Sequence, residues 1–234
     1  TDIFTIENLL EIGAHEASVS TELLSKVKKN CYALEANVHV FNKFKNLINS
    51  EIIYENIAIT DVDGWTKINI PSNYETLERP DSSILIRSDN SKFDSIEVES
   101  YTLKTYIDRK SINNETNSCW LDAEGLAYEI LNSAKDYLQT INILLVEVED
   151  LQYWQNQKLV IDVFNLCLQN ELIPICRDLD GKGQYNVLFV RKKLLSQCGG
   201  IISDYWKELN ALKLQNEKSK NQTNFSTNLK NWLS

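Results

Sequence analysis

Short apolar runs that end in an acidic residue alternate with segments of helical period, and this alternation restricts the fold more than any other feature of the chain. Residues 8–12 (NLLEI) read as a buried strand closed by Gly13-Ala14. Residues 18–29 read as a helix with Val19, Leu23, Leu24 and Val27 on one face, and residues 31–34 as a second strand running into Glu35. Residues 38–49 are again of helical period. Residues 52–60 predict a third strand, and Asp61-Val62-Asp63-Gly64 a hairpin turn from which residues 65–70 return antiparallel. Runs of this kind alternating with helices predict βαβ units, and so a layered α/β domain with a largely parallel sheet.

The second half repeats the pattern. Residues 71–92 form a polar, irregular insertion containing Ser82-Ser83, and long insertions inside compact domains are usually functional. Tyr74, Arg79, Arg87 and Lys92 in or beside it are candidates to meet a polar acceptor, the plainer reading being a solvated loop. A strand is predicted over 96–102, a helical turn over 103–108, and a buried strand over 119–121 that ends at Asp122. A helix over 125–138 precedes the most apolar strand, 141–148. A helix over 159–171 leads to a closing strand pair, 173–176 and 185–190, joined through Asp180-Gly181-Lys182-Gly183. The expected fold is therefore a doubly wound, Rossmann-like sheet, mostly parallel with an antiparallel strand near the end. One domain is expected over residues 1–200. A helical extension is expected over 201–234, where Phe225, Leu229 and Trp232 have the spacing of one amphipathic helix that docks on the body or on a partner.

Composition narrows the partners. The 234 residues carry 33 Asp and Glu against 24 Lys and Arg, a formal charge of −9. That balance argues against a nucleic-acid partner, whose phosphates need neutralising cations, and against adsorption to an anionic membrane. The five cysteines contain no CxxC pair, which predicts reduced thiols and a cytoplasmic, soluble protein. No apolar run is long enough for a membrane span. Met is absent even at position 1, so the chain is expected to be a processed product or a domain of a larger protein.

The strand ends carry the chemistry. In Glu11-Ile12-Gly13-Ala14-His15-Glu16-Ala17-Ser18 a carboxylate, a glycine and a helix start follow one another. The carboxylate suits an ammonium and the helix-start amides suit a carboxylate, so the turn suits a zwitterion. It is not the GxGxxG fingerprint, because His15 and Ala17 stand in the later positions, and this disfavours an NAD-dependent enzyme. Glu35 ends the second strand, where an acid accepts both ribose hydroxyls of a nucleoside. The plainer alternative is that Glu11 and Glu35 only cap exposed strand ends. Asp122, Glu124, Glu147 and Glu149 lie at the ends of two central strands, and period two puts Glu147 and Glu149 on one face. For Glu124 and Glu129, a helix-start charge and a solvated face remain the plainer reading.

Together these pieces resemble the FkbM-type S-adenosylmethionine-dependent methyltransferases, in family order. "LLEIGAHEASVS" is similar to the first motif, "YALEANVHVFNKFKNLI" to the second-strand acid and its helix, and "ENIAITDVDGWTKI" to the third strand with its DG turn. "SSI" with "IEVESYTLKTYID" resembles the serine pair and the strand before a TLD-type turn. "WLDAEGLAYEILNSA" resembles the strongest signature, D-x-E-G opening a helix, and "ILLVEVE" and "YNVLFVRK" the closing strands. The resemblance runs from about Asn8 to Lys192 and implies a class I methyltransferase sheet. It implies that Glu11, Gly13, Ala14, His15 and Ser18 hold the methionine part of the cofactor. Glu35, with Ala36 after it, would take the ribose, Asn56 and Ile57 would lie near adenine, and Asp122 would sit beside the transferred methyl. The family usually has Asp for Glu11, Asn for His15, Gly for Ala17, Pro for Ala36 and an acid for Lys104.

The implied activity is O-methylation of a small polar acceptor, most simply a sugar hydroxyl of a glycan, in a protein that is sometimes fused to glycosyltransferase domains. A hydroxyl acceptor must lose its proton, so a base or a metal is required. Asp122 is the candidate base and His15 its alternative; His39 reads as a helix-surface residue. Asp122, Glu149 and Asp150 form a candidate oxygen site for Mg²⁺. The contrasting reading, motivated by His15 and Ala17, is a non-catalytic methyltransferase-fold scaffold or binding module.

Overall fold

In the first two strands, alternate residues go to opposite faces and so divide the core in two. Leu10, Ile12, Tyr32 and Leu34 join one apolar cluster, while Leu9, Cys31 and Ala33 join another on the far side. That is the period-two consequence of a strand buried on both faces. The computed structural model describes residues 6–72, 77–78, 82–89, 91–112, 117–178 and 183–213. Tyr74, Arg79, most of the Asp180–Gly183 joint and the apolar residues of the tail lie outside the described residues.

In chain order the first elements are β1 (Ile6–Ile12), α1 (Ser18–Leu23), β2 (Val27–Leu34), α2 (Val38–Phe44), β3 (Ile52–Glu55), β4 (Ala58–Thr60) and β5 (Gly64–Pro71). They are followed by β6 (Phe93–Thr102), α3 (Leu103–Arg109), β7 (Asn117–Leu121), α4 (Ala127–Ser133), β8 (Ile141–Glu149), α5 (Val160–Gln169), β9 (Leu172–Arg177) and β10 (Gln184–Arg191). Seven strands form the main sheet in the order β3-β2-β1-β7-β8-β10-β9, and β4-β6-β5 form a smaller one. The strands from β3 to β8 run parallel, and β10 is antiparallel to both of its neighbours. The α/β, doubly wound, mostly parallel architecture is thus the one the sequence predicts. Its order reverses between β1 and β7, and ligands of such sheets bind at that reversal, outside the carboxyl ends of the strands.

The larger cluster packs Leu103, Tyr106 and Ile107 of α3, Ile130 and Leu131 of α4, and Val163, Leu166 and Cys167 of α5 on one face of the sheet. Val19 and Leu23 of α1 cover the other face with Ala14 and Ala17. Arg191, at the end of β10, is buried; it donates to the carbonyls of Leu138, Ile141 and Asn170 and so ties three chain segments together.

Three local expectations are corrected. The helix expected over 18–29 ends at Leu23, and the chain enters β2 at Val27, because the exposed polar start of that strand pairs Val27 with Ile6. The single strand expected over 52–60 is two strands in different sheets: β3 pairs with β2, whereas β4 pairs with β6. The hairpin expected around Asp63-Gly64 does not form, since β6 lies between β4 and β5. Asp63 instead accepts hydrogen bonds from Thr102 N and Thr105 Oγ1, and so caps the start of α3.

Contacts divide the chain into two compact units, Thr1–Leu195 and Ser196–Ser234. In the second, residues 199–213 are helical. No helix of the described residues is long and apolar enough to cross a membrane.

Candidate functional site

Gly13 opens the site by leaving β1 at φ +77°, and its missing side chain is what lets β7 end beside it. A Cβ there would stand 1.7 Å from the Asp122 carbonyl oxygen. Asp122 N in turn donates to Ile12 O at 2.9 Å, so the β1–β7 ladder continues to the base of the site. The space that a side chain at Gly13 would need is therefore taken by the neighbouring strand, while Gly13 itself still lines the cavity.

Glu11 faces the α1 side, with 2% of its surface exposed. Its oxygens accept from Val19 N at 3.2 Å and Ser20 N at 2.7 Å, which satisfies two orphan amides of α1. Burial raises its pKa and those amides oppose the shift. Its oxygens and the α1 amides thus satisfy one another on the α1 side of the sheet. Ser18 is exposed and Ala14 is buried.

Glu35 differs in facing a cavity of about 150 Å³ above the strand ends. Its Oε2 accepts from His15 N at 2.8 Å and its Oε1 from Asn37 N at 2.6 Å. Each oxygen keeps a further lone pair for a hydroxyl donor. Burial pushes the pKa to about 7 against the pull of the two amides. Asn56 Nδ2 donates to the carbonyls of Glu35 and Ala36 at 2.8 and 3.1 Å. It clamps the corner of the chain behind the cavity, while Ile57 and Ala36 line it.

The opposite wall is acidic. Ligand oxygens of Asp122, Glu124 and Glu147 lie within 4.8 Å of one another. Asp122 and Glu147 are hydrogen-bonded through their side chains. Gln184 of β10 donates from Nε2 to Glu147 Oε2 at 2.9 Å and to Glu124 Oε2 at 3.2 Å. Burial first, and then the charges of Asp122 and Glu124, push Glu147 up to about 9; burial also raises Asp122. Asp122 and Glu147 therefore share a proton across their hydrogen bond, with burial and the neighbouring charges favouring Glu147 as its holder.

The oxygen cluster differs from the one read from the sequence. Glu149 turns toward the Gly125 amide and the Gln157 side chain, with burial raising its pKa to about 7. Asp150 accepts from the Tyr185 hydroxyl at 2.8 Å. Glu124 and Glu147 take their places beside Asp122. Glu124 is reachable because Gly125, at φ +83°, turns the chain beneath Trp154, where a Cβ would come within 2.5 Å of the indole. Gly13, His15, Glu35, Ala36, Ile57 and Asp122 line the cavity, whereas Glu11, Ala14, Ser18, Asn56, Glu149 and Asp150 are not among its described lining residues. Ser82, Ser83 and Ile84 complete the wall. Arg87 is not among the described lining residues either; it lies over the Trp154 ring.

The family described as Methyltransferase FkbM domain matches residues 11–199, a span that holds the Glu35 corner and the acidic wall alike. The chain belongs to the FkbM methyltransferase domain family.

The departures of this FkbM domain from the family pattern have a backbone meaning. His15 and Ala17 both lie at positive φ, +45° and +55°. Asn and Gly, usual at these positions, are the residue types that tolerate that region best. His15 is held there by its own N–H on Glu35 and by the Tyr54 hydroxyl on its carbonyl. Lys104 is exposed and pairs with Asp108 at 2.7 Å.

Among solved structures the domain is similar to TrmK of M. capricolum in complex with S-adenosyl-homocysteine, at 13% identity and TM-score 0.41, over 79% of this chain and 62% of that one. It thus spans less than two thirds of the TrmK chain. It is also similar to magnesium protoporphyrin IX methyltransferase (ChlM) from Synechocystis PCC 6803 with bound SAM, at 10% identity and TM-score 0.43, over 81% and 72% of the two chains. Aeropyrum pernix fibrillarin with natively bound S-adenosyl-L-methionine is similar at 8% identity and TM-score 0.45, over 81% and 69%. No curated protein matches the sequence.

Proposed function

We propose that this FkbM domain transfers a methyl group from S-adenosylmethionine to a hydroxyl of a small polar acceptor, a sugar of a glycan. One observation carries the reading: Glu35 and Asp122 face the same cavity from either side of the point where the strand order reverses. The donor set fits a nucleoside at the Glu35 end, since a buried carboxylate with a lone pair left on each oxygen suits a pair of ribose hydroxyls. Ile57 and Ala58 offer an apolar wall beside it for adenine. The methionine end would lie along Gly13 and His15, because Glu11 is spent on α1.

When bound, the cofactor supplies an electrophilic methyl on a sulfonium. The protein's part is alignment of the acceptor oxygen and removal of its proton. Asp122 is the base. Glu147, protonated, donates to Asp122 and keeps it ionised, and Gln184 fixes Glu147 and Glu124 in place. His15 also lines the cavity and is the alternative base. The spacing of the Asp122, Glu124 and Glu147 oxygens favours a second reading, in which a divalent cation such as Mg²⁺ held there lowers the hydroxyl pKa.

The test is incubation with methyl-labelled cofactor and a panel of glycans, with products read by mass spectrometry. A labelled methyl ether that disappears in Asp122→Ala, with S-adenosylhomocysteine binding retained, supports the reading. Unchanged transfer in that variant removes Asp122 from the chemistry. Loss of transfer on chelation, restored by Mg²⁺, selects the cation reading.

A further inference from the structure

The segment around Ser82-Ser83 touches both ends of the cavity. Ser83 is 3% exposed; its Oγ donates to the Glu124 carbonyl at 2.6 Å and accepts from Leu85 N at 3.1 Å. Its backbone pairs with Asn69 of β5 in both directions, at 2.7 and 3.1 Å, which anchors the segment to the small sheet. On the other side, Ser82 Oγ accepts from Asn37 Nδ2 at 3.4 Å, and Asn37 is the residue whose N–H holds Glu35 Oε1. Further along, Ile86 O accepts from Gln155 N, and Tyr153 O from Ser88 N, both at 2.8 Å. The chain from Ser82 to Ser88 is thus fixed at several points on four other segments, and its first residues line the cavity.

We infer that Ser82 and Ser83 are positioning residues that set the distance between the Glu35 corner and the D-x-E-G turn, and so the length of the cofactor site. The inference rests on the methyltransferase reading above. A buried hydroxyl that both donates to a carbonyl and accepts from an amide fixes two backbone groups at once. If Ser83 Oγ is removed, the Glu124 carbonyl loses a donor and the turn bearing Asp122 and Glu124 loses its tie to the small sheet. Ser82 does the same, more weakly, for Asn37 and hence for Glu35. Neither residue takes part in proton transfer. The small sheet thereby becomes part of the binding site.

The experiment is calorimetric titration of the whole chain with S-adenosylhomocysteine, on the wild type, Ser82→Ala and Ser83→Ala, with melting temperatures alongside. Ser83→Ala is expected to weaken binding about 5- to 10-fold, the order of one buried hydrogen bond, and Ser82→Ala by less. A lowered melting temperature with unchanged affinity in Ser83→Ala overturns the inference, because it leaves the serine with a purely structural role. Hydrogen exchange on the wild type supplies a readout independent of the variants: S-adenosylhomocysteine is expected to slow exchange at Ser83 and Leu85. No slowing at those amides, with the ligand bound, likewise overturns it. A wild type that does not bind S-adenosylhomocysteine fails the methyltransferase reading itself, which is a separate result.

Discussion

Gly13 and Asp122 meet backbone to backbone at the reversal of the sheet, with no room between them for a single carbon. The contact joins the first cofactor motif to the residue proposed as base, so one position couples folding to the geometry of the site. Gly13→Ala adds a Cβ 1.7 Å from a backbone oxygen, at a φ of +77° that side chains disfavour. The expected cost is about 2–5 kcal/mol, from left-handed strain and overpacking together. Urea denaturation measures it; a change below about 0.5 kcal/mol would contradict the close approach.

Stability and ligand binding are expected to respond to pH in opposite directions. Glu35 and Glu149 are raised to about 7, and Glu147 to about 9, each chiefly by burial. A carboxyl whose pKa is higher folded than unfolded gives stability that is full below its unfolded value and is lost as pH rises through the folded one. Thermal midpoints of the free protein should therefore fall from about pH 5 to about pH 9. Binding of S-adenosylhomocysteine needs ionised Glu35 to accept the ribose hydroxyls, so its affinity should rise with pH through about 7 and then level. Parallel slopes for the two quantities would refute the assignment of Glu35.

Asp122→Asn removes one of two carboxyl groups that share a proton in a half-buried cluster. It should raise the melting temperature at pH 8, where Asp122 and Glu124 press on Glu147, and abolish methyl transfer. A gain in stability with a loss of function is what a site that stores charge repulsion predicts. A fall in both would mark Asp122 as structural.

Arg191→Met should cost at least about 3 kcal/mol, because the carbonyls of Leu138, Ile141 and Asn170 would be left without their buried donor. Chemical denaturation gives the number, and a near-neutral substitution would show that water replaces the guanidinium.

Much of this was legible in the chain because strands buried on both faces leave continuous apolar runs, and their ends mark the reversal of the sheet. Glu35 and Asp122 stand at such ends and both line the cavity. Glu11 stands at one too, but alternation turns it to the α1 face, and only the position of α1 reveals that Val19 and Ser20 claim it. The break between β3 and β4 was hidden because Glu55 and Asn56 are only a brief polar interruption of an otherwise apolar run, and such an interruption does not say that the chain changes sheets. Asn56, in the middle of it, clamps the Glu35 corner and marks the crossing. Gln184 carried no local signal, since its role depends on a partner 37 residues away; the serine pair was marked by its resemblance to the family motif, but nothing local pointed to Ser83's partner 41 residues away.

Titration of S-adenosylhomocysteine into the wild type and into Glu35→Ala tests the central claim most directly. Saturable one-site binding to the wild type, weakened at least about tenfold in a Glu35→Ala protein that remains folded, is the predicted result; hydrogen bonds to a charged acceptor carry that much. No binding to the wild type at millimolar ligand, or equal binding to both proteins, would contradict it.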